Sequence, residues 1–158
     1  MAENKLKIGI VSCSGEDCLG GTISRLATRK ILEKRPDGSV TICLPLYLAG
    51  GEEERSFAEN YPTIAVDGCS KCCAKRATEK YSGKVTAAID VSEIIGKETA
   101  ESGSLSTKEL NDAHREMVDK VASGIEAKIN DILKTVPVND KTSENKPDSG
   151  CGCGCGCH

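Results

Sequence analysis

Ten of the 158 residues are cysteine, and their spacing divides them into two sets. Cys13, Cys18, Cys43, Cys69, Cys72 and Cys73 fall in the first half of the chain. Cys151, Cys153, Cys155 and Cys157 alternate with glycine just ahead of His158. An even cysteine count can mark a disulfide scaffold, but that pattern belongs to short, loop-rich chains in oxidising compartments. In a reducing cytosol, clustered thiols bind metal or carry out thiol chemistry. Thiolates are soft ligands that suit Zn²⁺ and Cu(I), and four of them also hold an iron–sulfur cluster.

The two sets make different offers to a metal. In the tail, glycine between the thiols lets the backbone wrap an ion, and His158 can add its imidazole or the terminal carboxylate. Residues 151–158 therefore read as a segment that captures a metal or hands it on. In the first set, Cys69-Ser70-Lys71-Cys72 is also a Cys-x-x-Cys at an expected helix start, where a lowered thiol pKa is anticipated. Lys71, Lys75 and Arg76 would favour thiolate there. A thiol-redox or sulfur-transfer role using Cys69 and Cys72 thus stands as the alternative to metal binding.

The elements that must position these thiols follow from periodicity and punctuation. Lys5–Ser12 reads as a strand, and Gly20-Gly21-Thr22 opens a helix through Ile23, Leu26, Ala27 and Ile31 that stops before Pro36-Asp37-Gly38. Ser39–Leu44 reads as a second strand ended by Pro45, and Glu52–Glu59 as a short charged helix. Thr63–Val66 is the third strand, with a helix from about Ser70 to Tyr81, and Lys84–Asp90 is the fourth. Ser106-Thr107-Lys108-Glu109 has the form of a capping box. It should start the longest helix, with Leu110, Ala113, Met117, Val121, Ile125, Ile129 and Ile132 on one packed face. His114 on that helix reads as a partly exposed surface residue, not a ligand.

Strands alternating with helices predict an α/β fold: a three-layer Rossmann-like sandwich with a parallel sheet of about four strands and a long C-terminal helix. Residues 1–134 form this domain, 135–150 a polar linker expected to stay disordered, and 151–158 the Cys-Gly tail. With strand order 2-1-3-4, Cys13, Cys43 and Cys69 sit at three neighbouring carboxyl ends. Ligands of open α/β sheets bind outside that edge, and adjacent strands lie roughly 4.8 Å apart. A fourth sulfur from the turn carrying Cys72 and Cys73 would complete a tetrahedral thiolate site of the kind zinc prefers. Cys43, between Ile42 and Leu44, also fits an inert apolar filler. Asp67 is placed to cap the helix that follows it.

Several other classes are excluded. The net charge is −3 and only Tyr47, Phe57, Tyr61 and Tyr81 are aromatic, so basic stripe and stacking platform for nucleic acid are both missing. No apolar run approaches the roughly 20 residues a bilayer requires, and the first residues lead into a short strand, not a secretory leader. A soluble cytoplasmic protein is expected. A phosphatase-type oxyanion loop needs Cys, five residues, then Arg; the sixth residue after Cys13 is Leu19 and after Cys18 is Ser24, with Arg25 one place late. Neither His114 nor His158 is placed as a base for a cysteine nucleophile, and no glycine-rich nucleotide-binding fingerprint is present.

The run Asp67-Gly68-Cys69-Ser70-Lys71-Cys72-Cys73-Ala74-Lys75-Arg76 closely resembles the signature of the DGC-domain family, whose pattern is Asp-Gly-Cys, three residues, then Cys-Ala-Lys-Lys. The resemblance extends to Cys13-Ser14-Gly15 and to Cys43-Leu44 with Ala49-Gly50-Gly51, over roughly residues 6–95. It implies four family cysteines, Cys13, Cys43, Cys69 and Cys73, holding zinc. The chain departs from the pattern at Ser70, where the family usually has proline, and in the extra thiols Cys18 and Cys72. The helix after Ser104 and the tail lie beyond it. Taken together, the sequence points to a cytoplasmic metal-binding protein, zinc first, with Cys13, Cys43, Cys69 and Cys73 as leading ligands and Cys18 and Cys72 as auxiliaries. An iron–sulfur cluster or Cu(I) are the other ions compatible with the donors. The partners expected are a metal ion and a metal-receiving or redox protein.

Overall fold

The computed structural model describes residues 6–135. The expected linker and the tail ligands Cys151, Cys153, Cys155, Cys157 and His158 lie outside the described residues. Four parallel strands, β1 (Ile8–Ser12), β2 (Ser39–Val40), β3 (Thr63–Asp67) and β4 (Ala87–Asp90), form one sheet in the order β2-β1-β3-β4, as anticipated. Helices α1 (Leu19–Lys34), α2 (Pro45–Ala49), α3 (Glu52–Arg55), α4 (Phe57–Asn60), α5 (Cys73–Tyr81), α6 (Val91–Ile95), α7 (Lys97–Ala100) and α8 (Asp112–Thr135) connect and cover it.

Alternation along the strands sorts their side chains into two cores. Ile8 and Ile10 of β1 and Ile64 and Val66 of β3 pack with Ile23, Ala27 and Ile31 of α1 and with Val121, Ile125 and Ile129 of α8. Val11 and Ala65 face the other way, towards Tyr47, Phe57, Ala74 and Val85. Each fully buried aliphatic side chain contributes on the order of 2 kcal/mol, so these two apolar layers fix the sheet between the helices. The surface pairs Lys30–Asp119 and Lys34–Glu126 join α1 to α8; exposed pairs of this sort contribute under about 1 kcal/mol each.

β1 begins at Ile8 and β4 at Ala87, each later than the expected Lys5 and Lys84; four further boundaries differ from the sequence expectation, each for a local reason. β2 pairs only through Ser39 and Val40, because the chain then turns: the Leu46 and Tyr47 amides donate to the Cys43 and Leu44 carbonyls. Pro45 therefore opens α2 as its first residue, where its missing N–H costs nothing. The charged segment after Gly51 breaks at Ser56 into α3 and α4. α5 begins at Cys73 and not near Ser70, because Cys72 adopts a left-handed conformation with φ 50°. α8 begins at Asp112 and not at Ser106. Glu109 does accept the Ser106 amide at 2.8 Å, but the turn it closes does not continue. The reciprocal cap that starts α8 is Asn111 with His114: the His114 amide donates to Asn111 Oδ1 at 3.0 Å and the Asn111 amide to His114 Nδ1 at 3.2 Å. Leu110 is buried ahead of the helix, Ala113 is exposed, and Val118 and Ala122 join the packed stripe.

Candidate metal centre

The carboxyl edge of the sheet is built by the segments that leave β1 and β3. The Cys13 amide donates to the Val66 carbonyl at 2.9 Å, which ties the exit of β1 to β3. Cys13 Sγ then accepts the Gly68 amide at 3.2 Å and lies 3.5 Å from the Ser24 hydroxyl. The Ser24 hydroxyl gives its one proton to the Gly21 carbonyl at 2.7 Å, so towards Cys13 it is placed to accept. Cys18 caps α1 in extended conformation and bridges to Gly103 across an isolated antiparallel contact. Its thiol lies within electrostatic reach of Cys69 and Cys13.

Glycines let these loops touch. A Cβ on Gly20 would sit 2.0 Å from the Gly68 carbonyl oxygen, and one on Gly68 would sit 2.4 Å from the Gly20 carbonyl carbon. Gly21 is locked in the same way, its Cβ position lying 2.0 Å from the Gly15 carbonyl oxygen. Gly20-Gly21 is therefore more than a helix start. It is the bearing surface on which the Cys13–Cys18 loop and the Asp67–Cys69 loop meet, and it brings Cys18, an auxiliary thiol by sequence, into the centre.

Asp67 supplies the remaining anchor. Alternation turns it to the α5 side of the sheet, where it is buried to 2% exposure. Oδ1 accepts the Ala74 amide at 2.6 Å and Oδ2 the Lys75 amide at 3.1 Å, so it caps α5 from outside the helix as expected. That grip fixes Cys73, the first residue of α5, within electrostatic reach of Cys13 and Cys69. Burial pushes the Asp67 carboxyl up despite these two donors.

The thiols of Cys72 and Cys73 correct one expectation. A helix start beside Lys71, Lys75 and Arg76 predicts depressed thiol pKa values, but both thiols are pushed up. Desolvation is the main cause for each. Asp67 and Asp90 add to it at Cys72, and Cys13, Asp67 and Cys69 add to it at Cys73; Lys75 and Arg76 offset only part. Burial raises Cys18 too, against the Gly21 amide, with Cys69 and Cys13 adding to the rise. Negative charge accumulating on such a cluster repels itself, and a cation set among the sulfurs would reverse the sign of that interaction.

Cys13, Cys69 and Cys73 lie within electrostatic reach of one another, and Cys18 within reach of Cys13 and Cys69. Cys43 lies in the segment after β2 and is not among those neighbours; like Cys73 it is exposed. Cys72 lies beside Cys69. All six are free thiols. Among the described residues no three Cys, His, Asp or Glu side chains stand at metal-binding spacing; by chemistry alone, thiol donors of this kind suit zinc. His114 is part-exposed, as anticipated, and is engaged in its helix cap, a structural role that the sequence reading missed and that the Asn-x-x-His spacing signals. Among the described residues no helix is long and apolar enough to cross a membrane.

A family model described as DGC domain matches residues 9–125. The match covers well over half of the chain and runs from β1 into α8, beyond the stretch over which the motifs alone carry the resemblance. No curated protein and no solved structure matches the chain.

Proposed function

Because the chain belongs to the DGC domain family, we propose that it is a cytoplasmic protein that binds a metal ion through clustered thiolates, with zinc as the ion. The observation that supports this reading is that Cys13, Cys18, Cys69 and Cys73, from the two segments that leave β1 and β3, lie within electrostatic reach of one another on one sheet edge. Cys13, Cys69 and Cys73 are the common core of the ligand set. The family pattern nominates Cys43 as the fourth ligand, while proximity supports Cys18. Zinc held by four thiolates has no open position, which suits storage or delivery better than hydrolysis. Residues 1–134 would form the binding domain and 135–150 a linker, with Cys151, Cys153, Cys155, Cys157 and His158 as a second set of ligands that captures or passes on the ion.

The test is metal analysis and a visible spectrum on protein purified without oxygen. The expected result is a colourless protein with stoichiometric zinc, reduced by Cys13→Ser, Cys69→Ser or Cys73→Ser and lowered further by deleting residues 151–158. Comparing Cys18→Ser with Cys43→Ser identifies the fourth ligand. A brown, iron-containing protein would replace zinc with an iron–sulfur cluster. A metal-free protein with all thiols reactive would overturn the reading.

A further inference from the structure

The β2 edge of the sheet carries none of the usual protection. From Gly38 to Gly51 the chain has no Asp, Glu, Lys or Arg, although 28% of all residues are charged. Edge strands are ordinarily blunted by charge or covered by another element. Here β2 is outermost and pairs only through Ser39 and Val40, and the residues that follow stay at the surface. Ile42 and Leu44 are half-buried, Pro45 is exposed, and Leu46 and Leu48 of α2 are 40% and 63% exposed. These two leucines are the most exposed large apolar side chains among the described residues. They flank the fully buried Tyr47, so α2 cannot roll to hide them without lifting its anchor out of the core. Contiguous apolar surface rimmed by polar groups marks an association site.

The charges on the two flanks of this strip have opposite sign. α1 packs on one face of the sheet, with Ile8 and Ile64, and α2 on the other, with Val11 and Ala65. Arg25 and Arg29 of α1 stand across a cleft from the Thr41–Pro45 segment, and no acidic residue lines that cleft. Arg29 is paired with Glu33 at 3.2 Å. Arg25 is exposed and has no ion-pair partner among the described residues. On the opposite flank, Arg55 donates to the Tyr47 and Leu48 carbonyls at 2.9 and 3.2 Å, which pins α3 to α2. Glu52 and Glu53 in the first turn of α3 are exposed, again without an ion-pair partner among the described residues. Around the edge the order is therefore basic, apolar, acidic.

We infer that this edge is the interface of a symmetric homodimer, in which the basic flank of each copy meets the acidic flank of the other. A two-fold axis parallel to the strands does this. It exchanges the two faces of the sheet, so α1 of one copy lies opposite α2 and α3 of its partner, once on each side of the axis. A two-fold axis along the sheet normal would keep each face on its own side and set like charge against like. Because an isologous interface repeats every contact, two charged zones close over an apolar centre that holds Leu46 and Leu48 of both copies. A second copy of this chain satisfies both flanks at once, which a partner of single charge sign does not. The interface goes beyond the metal reading and does not depend on it, since no sulfur is needed to form it.

The test is sedimentation equilibrium of the full chain at low salt, from micromolar to submillimolar concentration, as purified and again with reductant and chelator. The expected mass is twice the 16.7 kDa of one chain, with or without those reagents. Leu48→Glu, at a side chain too exposed to support the fold, is expected to weaken association at least about tenfold, as truncation of a central anchor does. Arg25→Glu alone, and Glu52→Arg with Glu53→Arg alone, set like charge against like and should each be monomeric. Mixed in equal amounts, these two variants should associate with each other, because each supplies the charge the other has lost. Circular dichroism checks that every variant is folded. A monomer throughout, a dimer that Leu48→Glu leaves intact, or a dimer that reductant and chelator dissolve would overturn the proposal. So would charge-reversed variants that dimerise alone or fail to pair when mixed. Metal content is measured on the as-purified samples, so failure of the metal reading and failure of this one are distinguishable.

Discussion

The two halves of the sheet's carboxyl edge carry the same residue type under opposite constraints. On the β1–β3 side, backbone meets backbone without an intervening side chain, at Gly20 against Gly68 and Gly21 against Gly15. Cys13, Cys18, Cys69 and Cys73 gather there, in loops tied down by amide donors and by Asp67. On the β2 side, the strand ends after two residues and Cys43 stands exposed in a segment that turns directly into α2. Cysteines that the sequence pattern places alike, after successive strands, thus sit in different backbone settings. What distinguishes the two halves is how tightly the backbone around each sulfur is held.

The comparison breaks most directly at the glycines. Gly20→Ala or Gly68→Ala puts a methyl into backbone that cannot yield, and overpacking of this kind costs about 1–3 kcal/mol. Either variant is expected to lower the thermal midpoint and to lose bound metal together with it. Gly103→Ala, with nothing within 4 Å of its Cβ position, should leave both unchanged. Calorimetry and metal content on the same samples check this pairing; retention of metal by a destabilised Gly68→Ala would separate the glycine contact from the thiol site.

Asp67 sharpens the comparison at a somewhat smaller scale. Asp67→Ala leaves the Ala74 and Lys75 amides without their acceptor and is expected to cost about 1–2 kcal/mol. Asp67→Asn keeps one acceptor and should recover part of that loss. Hydrogen exchange should rise first at the amides of residues 73–76, with β2 and α2 unaffected; uniform loosening of both halves would contradict the local role.

The smallest effect belongs to the β2 side. Tyr47 of α2 is fully buried and burial pushes its phenol up; the Thr78 and Ser82 hydroxyls ease this only in part, and none completes a hydrogen bond with it. A phenol whose folded pKa lies above its unfolded value adds stability that is complete below about pH 10 and lost as pH rises beyond it. Denaturant titrations of wild type should therefore show stability falling on the alkaline side. Tyr47→Phe should flatten that limb and be near neutral at pH 7, since the hydroxyl it removes has no partner.

Much of this was legible from the chain. Strand order, the thiols on one edge, the Asp67 cap and the family all follow from motifs whose physics is local. What escaped is physics that only the folded backbone exposes. Gly20-Gly21 carries no sign of the loop it will meet, so Cys18 reads as auxiliary when it lies among the converging sulfurs. Two capping boxes, Ser106–Glu109 and Asn111–His114, compete within a few residues, and spacing alone cannot rank them. The left-handed backbone at Cys72 shortens α5, since nothing in a Ser-Lys-Cys-Cys run signals a positive φ. Charge counting at the helix start sees Lys75 and Arg76 but not the desolvation that outweighs them.

The course of α8 has a consequence for any exchange between the two cysteine sets. Lys30 meets Asp119 and Lys34 meets Glu126, so α8 runs in the same direction as α1, away from the edge where α1 begins. At about 1.5 Å per residue, its 24 residues carry the chain roughly 36 Å towards the opposite pole. Fifteen residues separate Thr135 from Cys151, a tether of at most about 50 Å. A return to the molecule's own sulfurs would consume most of that length, whereas a neighbouring molecule can be met without retracing the helix. If the tail holds a metal as proposed, the polarity of one helix thus favours its delivery outward, to another surface.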